Sequence, residues 1–547
     1  LLLVRKCSHL VLEPGDLKVL LAYPGPEKAG LSSLAVHRIY TLLNSIEGVS
    51  CDLIFSDYNQ SFFLSLSPTE FDVIAFSVTY ENHLFEVIKL LSSWGIEPLR
   101  EKRKEAPLLL GGGIGLFYNP SPFLPIFDAI YLGEAEGRLE EVISAFRNRP
   151  NLETLSDFDN VLISGDYTFK YEGLKVSFFE GPKKRILRSP LFPEVPSHSC
   201  FISEGTAFKE MFLIELNRGC IEKCRFCVAS YMGLPYREKE IEVVEEEIAI
   251  ASNYVDRVGL IGAGVSDYSK MEELYRILKK YNVKASFSSL KASSTSPYIF
   301  EILKESGQKT VTLAPEAGSQ ELRFAINKKV EDEAYFRFAE RAFEAGAENL
   351  KLYFLIGLPS ETEEDVEAIV DMTKKFREIG LYYWRERGVK GGIHLSVNPV
   401  IAKPFTPLQW YGLNPKSVIE RKIRRLSKLV RKVPGVKLTY EKVKDAVLQA
   451  IVSRGDERLG VAAVRSVKEG LNFRRALKEV GLPFEELYTR ERERDELFPW
   501  EIVESGIKKD YLWREYQNVY KRKATPACFP GCSVCGLCLG SANLQKG

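Results

Sequence analysis

Asn217-Arg218-Gly219-Cys220-Ile221-Glu222-Lys223-Cys224-Arg225-Phe226-Cys227 follows the apolar run Phe212 to Leu216. Three cysteines, spaced three and then two residues apart at the end of an expected strand, put three thiolates on one loop. Three thiolates can hold three irons of a cubane iron–sulfur cluster and leave the fourth iron without a protein ligand. An open iron can chelate a small molecule through an amine and a carboxylate. Zinc normally wants four protein ligands or a purposeful open position. No Cys or His follows closely enough to complete such a set, so the spacing favours a cluster.

The flanking sequence predicts the scaffold for this loop. From about residue 210, apolar runs recur at Phe212 to Leu216, Val258 to Ile261, Ala285 to Ser288, Val311 to Leu313, Leu350 to Ile356 and Ile393 to Val397, with helical patterns between them. Six βα steps predict a partial (β/α)6 barrel over 206–410, with its chemistry at the carboxyl ends of the strands. Residues 1–150 show a separate alternation: Lys18 to Tyr23, Asp72 to Val78, Pro107 to Leu110 and Phe127 to Leu132, with helical patterns between. Gly111-Gly112-Gly113 and Gly133 fall just after strands, as in an open, doubly wound parallel sheet. Residues 151–205 read as a linker carrying a β-hairpin that turns at Glu172-Gly173. Residues 411–547 read as a helical, charged C-terminal region with a cysteine-rich tail. The fold class is therefore α/β with a helical C-terminal region.

Composition bounds the function. The chain has 547 residues, 27% charged and 45% hydrophobic, which excludes a disordered or collagen-like protein. Lys+Arg is 75 against Asp+Glu 74, so a global polyanion-binding field is not expected. A local one is offered by Pro415 to Pro434, whose Arg421-Lys422-Ile423-Arg424-Arg425 could track a phosphate backbone. The apolar runs are shorter than the ~18 residues of a membrane span, and the first residues are too short for a signal peptide. A soluble, cytoplasmic protein with no membrane partner is expected.

The cysteines carry most of the remaining information. Of 10, three form the loop above and four lie together as Cys528, Cys532, Cys535 and Cys538. Those four are a second metal site, for zinc or an iron–sulfur cluster, which spacing does not separate. Cys7, Cys51 and Cys200 stand alone and read as small buried hydrophobes. No disulfide framework is expected in a large chain without an export signal.

Taken together, these motifs resemble the radical S-adenosylmethionine (SAM) superfamily. The Cys-x3-Cys-x2-Cys loop has an aromatic residue before its last cysteine. Gly262-Ala263-Gly264 follows the second strand, where the superfamily places a backbone contact to the SAM amino group. Ala314-Pro315-Glu316-Ala317-Gly318-Ser319 and Arg323 resemble a fourth-strand segment whose acid and arginine lie near SAM. Lys351 to Thr362 and Asn398 to Pro407 resemble the fifth- and sixth-strand segments. Upstream, Gly111, Gly112, Gly113 and Gly133, with Asn119-Pro120 and Asp128, resemble the cobalamin-binding domain that precedes many such barrels, without its Asp-x-His-x-x-Gly segment. Arg454 to Arg458, Phe498 to Glu501, Trp513 to Tyr516 and the tail resemble a cobalamin-domain branch of the superfamily.

The resemblance implies a [4Fe–4S] cluster on Cys220, Cys224 and Cys227 that reduces bound SAM to methionine and a 5′-deoxyadenosyl radical. It implies SAM contacts from Gly262, Ala263, Gly264, Glu316 and Arg323, and a cobalamin site at the N-terminal glycines. It also implies an external one-electron donor such as flavodoxin or ferredoxin. A cobalamin-dependent methyltransferase is the leading expectation, with RNA as a candidate substrate. The alternatives are a cobalamin-independent radical enzyme with a vestigial first domain, and a non-catalytic RNA-binding protein with structural clusters. Methylthiotransferases carry three cluster cysteines in their N-terminal domain. Here that region has only Cys7 and Cys51, which argues against sulfur insertion.

Overall fold

The seven-residue runs Leu17–Tyr23 (β1) and Val49–Phe55 (β2) are buried along nearly their whole length, which suits parallel strands covered on both faces. In the computed structural model, which describes residues 1–537 except Lys6, Glu105, Ala106, Ala207, Lys209 and Pro530, they join Val73–Ser77 (β3), Leu108–Gly112 (β4), Ala129–Tyr131 (β5) and Val161–Ile163 (β6). The order is β2-β1-β3-β4-β5-β6, parallel except for β6. The first five strands thus have the 2-1-3-4-5 order of doubly wound folds, whose ligands bind beyond the carboxyl ends at the β1/β3 switch point. A cleft of about 650 Å³ opens at the opposite, amino-terminal edge, where Arg103 pairs with Asp128 at 2.8 Å. It lies away from the expected ligand edge.

The chain divides into two compact units, Leu1–Met211 with Leu448–Gly506, and Phe212–Val447 with the residues from Ile507 onward. The C-terminal region read from sequence as one stretch therefore contributes to both. In the first unit, Asn119 Nδ2 donates to the carbonyls of Ser453 (3.2 Å) and Gly455 (2.8 Å), and Ser121 Oγ donates to Pro499 O (2.6 Å). The expected hairpin is present as Thr168–Glu172 paired with Lys175–Glu180. One sequence reading needs correction here: Cys7 and Cys200 are joined by a disulfide, 5.8 Å apart at Cα. Antiparallel pairing of Leu2–Leu3 with Phe201–Ile202 brings them together across 193 residues. Cys51 is buried in β2, as expected.

The second unit carries all six expected parallel strands: Phe212–Arg218 (β7), Arg257–Gly262 (β8), Lys284–Phe287 (β9), Thr310–Glu316 (β10), Asn349–Ile356 (β11) and Gly392–Pro399 (β12). A seventh, Val436–Tyr440 (β13), pairs parallel with β12. β7-β8-β9 and β10-β11-β12-β13 form two sheets, linked by a parallel bridge between Leu290 and Leu313. Buried and half-buried residues alternate strictly along β11 and β12. Each strand therefore buries one face under helices and turns the other inward, as in a barrel. Among the described residues, no helix is long and apolar enough to cross a membrane.

Candidate metal centre

Gly219 turns the chain out of β7 with φ +77°, and a Cβ there would meet Gly233 O at 2.4 Å. This close approach lets the loop fold back at once and present Cys220, Cys224 and Cys227. Cys220 and Cys224 are buried, and Cys227 is half-buried. Burial pushes the Cys224 thiol up to about 12, against the pull of Lys328, and raises Cys227 as well. Thiolates at this depth are stabilised by a bound metal's charge. Among the described residues, the only Cys, His, Asp or Glu trio with ligand atoms all within 4.8 Å of one another is Cys7, His198 and Cys200. The three loop sulfurs are set wider. That suits separate irons of a cubane better than one zinc ion with Zn–S bonds of about 2.3 Å.

The loop is walled by residues from distant parts of the second unit. Arg225 is fully buried; its Nη2 donates to Glu515 (3.0 Å), Lys523 O (2.6 Å) and Thr525 Oγ1 (3.1 Å). Asn327 Nδ2 donates to the carbonyls of Glu222 and Lys223, both at 3.1 Å, while its Oδ1 accepts from Thr525 N–H at 2.7 Å. The cysteine-rich tail lies against the same loop. Cys528 N–H donates to Ile221 O (3.0 Å), and Lys223 Nζ lies 3.8 Å from Cys532 Sγ. Cys532 and Cys535 are buried. Cys538 lies outside the described residues.

The accessory motifs come to the same strand ends. Asn217, at the end of β7, lies beside Gly262 in register. A Cβ on Gly262 would meet Asn217 Oδ1 at 2.4 Å. The same side chain donates to Gly264 O (2.8 Å) and accepts from Gly264 N–H (3.1 Å). It therefore fixes the Gly262-Ala263-Gly264 turn, a role that sequence reading missed although Asn217 opens the motif. Lys291 was also missed. Its Nζ lies 3.4 Å from Cys220 Sγ, pairs with Asp267, and lies 3.9 Å from Glu222. Burial works against its charge, but Cys220 and Asp267 prevail and raise its pKa.

Glu316 ends β10 at φ +71°, a left-handed conformation costly for a residue with a side chain. Burial pushes its carboxyl up to about 7, with Lys328 opposing. Arg323 corrects an expectation. It is fully buried, and Nη1 donates to Ala317 O (3.2 Å) and Gly318 O (3.0 Å), Nε to Val330 O (3.2 Å), and Nη2 to Asp332. Its fork holds the turn that carries Glu316; it is not open to a ligand's carboxylate.

In the first unit, three of the four expected cofactor glycines are needed by the chain's own packing. A Cβ on Gly111 would meet Phe127 at 2.6 Å, one on Gly113 would meet Val78 O at 2.5 Å, and one on Gly133 would meet Leu187 O at 2.3 Å. Gly112, at the carboxyl end of β4, has nothing closer than Tyr131 O at 3.9 Å. Tyr23 ends β1 at the switch point, where His83 meets its ring edge-on at 5.4 Å.

Comparisons with known proteins bear on the same regions. Residues 214–373 match the family described as the radical SAM superfamily, and residues 35–163 match radical SAM proteins, N-terminal. The uncharacterized protein MJ0966 of Methanocaldococcus jannaschii is 32% identical over 446 residues, 81% of this chain and 89% of that one. A tRNA-2-methylthio-N(6)-dimethylallyladenosine synthase of Wolbachia pipientis is 23% identical over 258 residues; the match spans 44% of this chain and 56% of that relative. Among solved structures, the radical SAM methyltransferase TsrM of Kitasatospora setae, with cobalamin and a [4Fe–4S] cluster bound, aligns with a TM-score of 0.46 at 14% identity, over 72% of this chain and 74% of that one. The cobalamin-dependent radical enzyme OxsB aligns with a TM-score of 0.47 at 14% identity, over 65% and 52%. The family matches fall on the two parallel-sheet regions, and the three-cysteine loop leaves the first strand of the second, so the chain belongs to the radical SAM superfamily.

Proposed function

We propose that this radical SAM enzyme is a cobalamin-dependent methyltransferase with RNA as its substrate. The observation that carries the radical reading is the convergence of the Cys220–Cys227 loop, the Asn217-pinned glycine turn, Glu316 and Lys291 at the carboxyl ends of β7 to β10. When bound there, a [4Fe–4S] cluster supplies the electron that cleaves SAM to methionine and a 5′-deoxyadenosyl radical. Cys220, Cys224 and Cys227 hold that cluster. The backbone of Gly262 to Gly264 faces the SAM amino group, and Glu316 accepts from the ribose diol. Lys291, whose charge is reinforced by its neighbours, pairs with the SAM carboxylate. Arg323 and Asn217 are positioning residues. The barrel walls orient the substrate and exclude water.

Cobalamin binding is supported by the 2-1-3-4-5 sheet and the open face of Gly112 at its carboxyl edge. RNA is supported by a relative that carries a tRNA-modifying name, and by Arg421, Lys428, Arg431 and Lys432, all exposed on and just after the basic helix. Two other cations of that helix are already paired, Lys422 with Glu361 and Arg425 with Glu363 and Glu367. The tail cysteines hold a second iron–sulfur cluster, for which the Cys532-x2-Cys535-x2-Cys538 run is suited. The electron donor is a flavodoxin or ferredoxin.

Anaerobic reconstitution with iron, sulfide and cobalamin, followed by SAM, reductant and total RNA, tests this reading by mass spectrometry of the adenosyl products. Cobalamin-dependent S-adenosylhomocysteine with methylated RNA is expected. 5′-Deoxyadenosine alone, from protein that retains no cobalamin, would favour the cobalamin-independent radical enzyme.

A further inference from the structure

Two segments far apart in sequence are mirror images: Cys7-Ser8-His9 and His198-Ser199-Cys200. The short ladder between Leu2–Leu3 and Phe201–Ile202 brings them together. Val4 N–H donates to Cys200 O, and Cys7 N–H to Val4 O, both at 3.0 Å. Cys7, His198 and Cys200 are 8%, 8% and 3% exposed, and their ligand atoms lie within 4.8 Å of one another. The two sulfurs are the bonded pair, and a ring nitrogen of His198 lies within reach of both.

The imidazoles are set up as metal ligands are. His198 Nδ1 lies 3.0 Å from Ser199 O, so that nitrogen carries the proton and Nε2 the lone pair. His9 Nε2 lies 2.9 Å from Val4 O, so its lone pair is on Nδ1, which is buried with no hydrogen-bond partner. A ring N–H donated to a backbone carbonyl, as both rings do, is the outer-shell arrangement of metal-binding histidines. Thr41 Oγ1 lies 2.8 Å from Cys200 Sγ, where a hydroxyl donates well to a thiolate. His37 is not a ligand. Its Nδ1 accepts from the N–H groups of Cys200 (3.0 Å) and Phe201 (3.2 Å), which fixes the backbone at the site.

We propose that in the reduced protein Cys7, Cys200 and His198 hold one zinc ion, with His9, which lies outside that 4.8 Å group, turning in as the fourth ligand once the sulfurs part, and that the disulfide is the metal-free, oxidised form. This rests on the radical SAM reading in one respect: a low-potential cluster needs a reducing milieu, where an isolated disulfide does not persist. Oxidation by a small-molecule disulfide balances. The two zinc-bound thiolates give up two electrons and form the Cys7–Cys200 bond, the oxidant's S–S bond breaks into two thiolates, and Zn²⁺ leaves.

The test is zinc and iron analysis of the full-length protein, purified anaerobically under a thiol reductant, with X-ray absorption at the zinc edge. About one zinc per chain is expected, with two sulfurs at about 2.3 Å and two nitrogens at about 2.0–2.1 Å. Cys200→Ser and His198→Ala are each expected to cut that zinc about tenfold and leave iron unchanged. Should both misfold, glutathione disulfide added to the wild-type protein is expected to release the zinc into a chromogenic chelator without releasing iron. Absence of zinc, zinc held only by four sulfurs, or a Cys7–Cys200 disulfide that survives the reductant would overturn the proposal. Failure of the radical SAM reading would appear separately, as missing iron, and would leave the zinc count readable.

Discussion

At Glu316 the backbone takes a left-handed turn, and burial holds the carboxyl near 7. Only the carboxylate can accept both hydrogen bonds of a ribose diol. SAM affinity measured by calorimetry is therefore expected to rise between about pH 6 and pH 8. Glu316→Gln is expected to weaken binding about tenfold and flatten that profile. Asn217→Ala frees the Gly262–Gly264 turn, so SAM cleavage is expected to fall about tenfold or more with iron content unchanged. Arg323→Lys loses the planar fork that joins three carbonyls and Asp332. The second unit is expected to lose about 3 kcal/mol in denaturant unfolding. Glu316 was legible from its motif. The role of Arg323 was not, because sequence shows a cation but not the carbonyls of Ala317, Gly318 and Val330 closing around it. Lys291 left no signal, since it comes from a loop after the third strand with no spacing that ties it to Cys220.

At the scale of elements, the six strands that carry the site were legible because continuous or alternating apolar runs have few other uses at that length. β13 escaped because Val436–Tyr440 is short and half-exposed and follows a long basic helix. That helix read as a phosphate track, but the facing helix Glu363–Arg387 and Glu361 before it supply acids that sequence distance concealed. The helix Glu457–Lys468 offers a pH test. Burial, with Asp456 alongside, pushes the Glu457 carboxyl up to about 7, and Tyr171 donates to it. A carboxyl raised on folding contributes most while protonated, below its unfolded value, and loses that contribution as pH rises through the folded value. The melting temperature of Glu457→Gln is therefore expected to gain on that of the wild-type protein between about pH 5 and pH 8, as read by scanning fluorimetry.

Across the whole molecule, neither unit is a continuous stretch of chain. Residues 448–506 complete the first, and residues from 507 complete the second. Composition gave no sign of this, because a segment's partner is set by which buried groups need it. Arg225, fully buried, needs Glu515, and Asn119 needs the carbonyls of Ser453 and Gly455. A chain cut after Gly506 leaves the Arg225 charge uncompensated, at a cost of about 3–5 kcal/mol; it is expected to purify with iron reduced severalfold. The most direct test of the account as a whole is electron paramagnetic resonance of the reconstituted, reduced protein with and without SAM. The account predicts a cluster signal that SAM shifts and that the Cys220→Ala, Cys224→Ala, Cys227→Ala triple variant lacks. Absence of any signal that SAM shifts, or a SAM-shifted signal that survives in the triple variant, would contradict it.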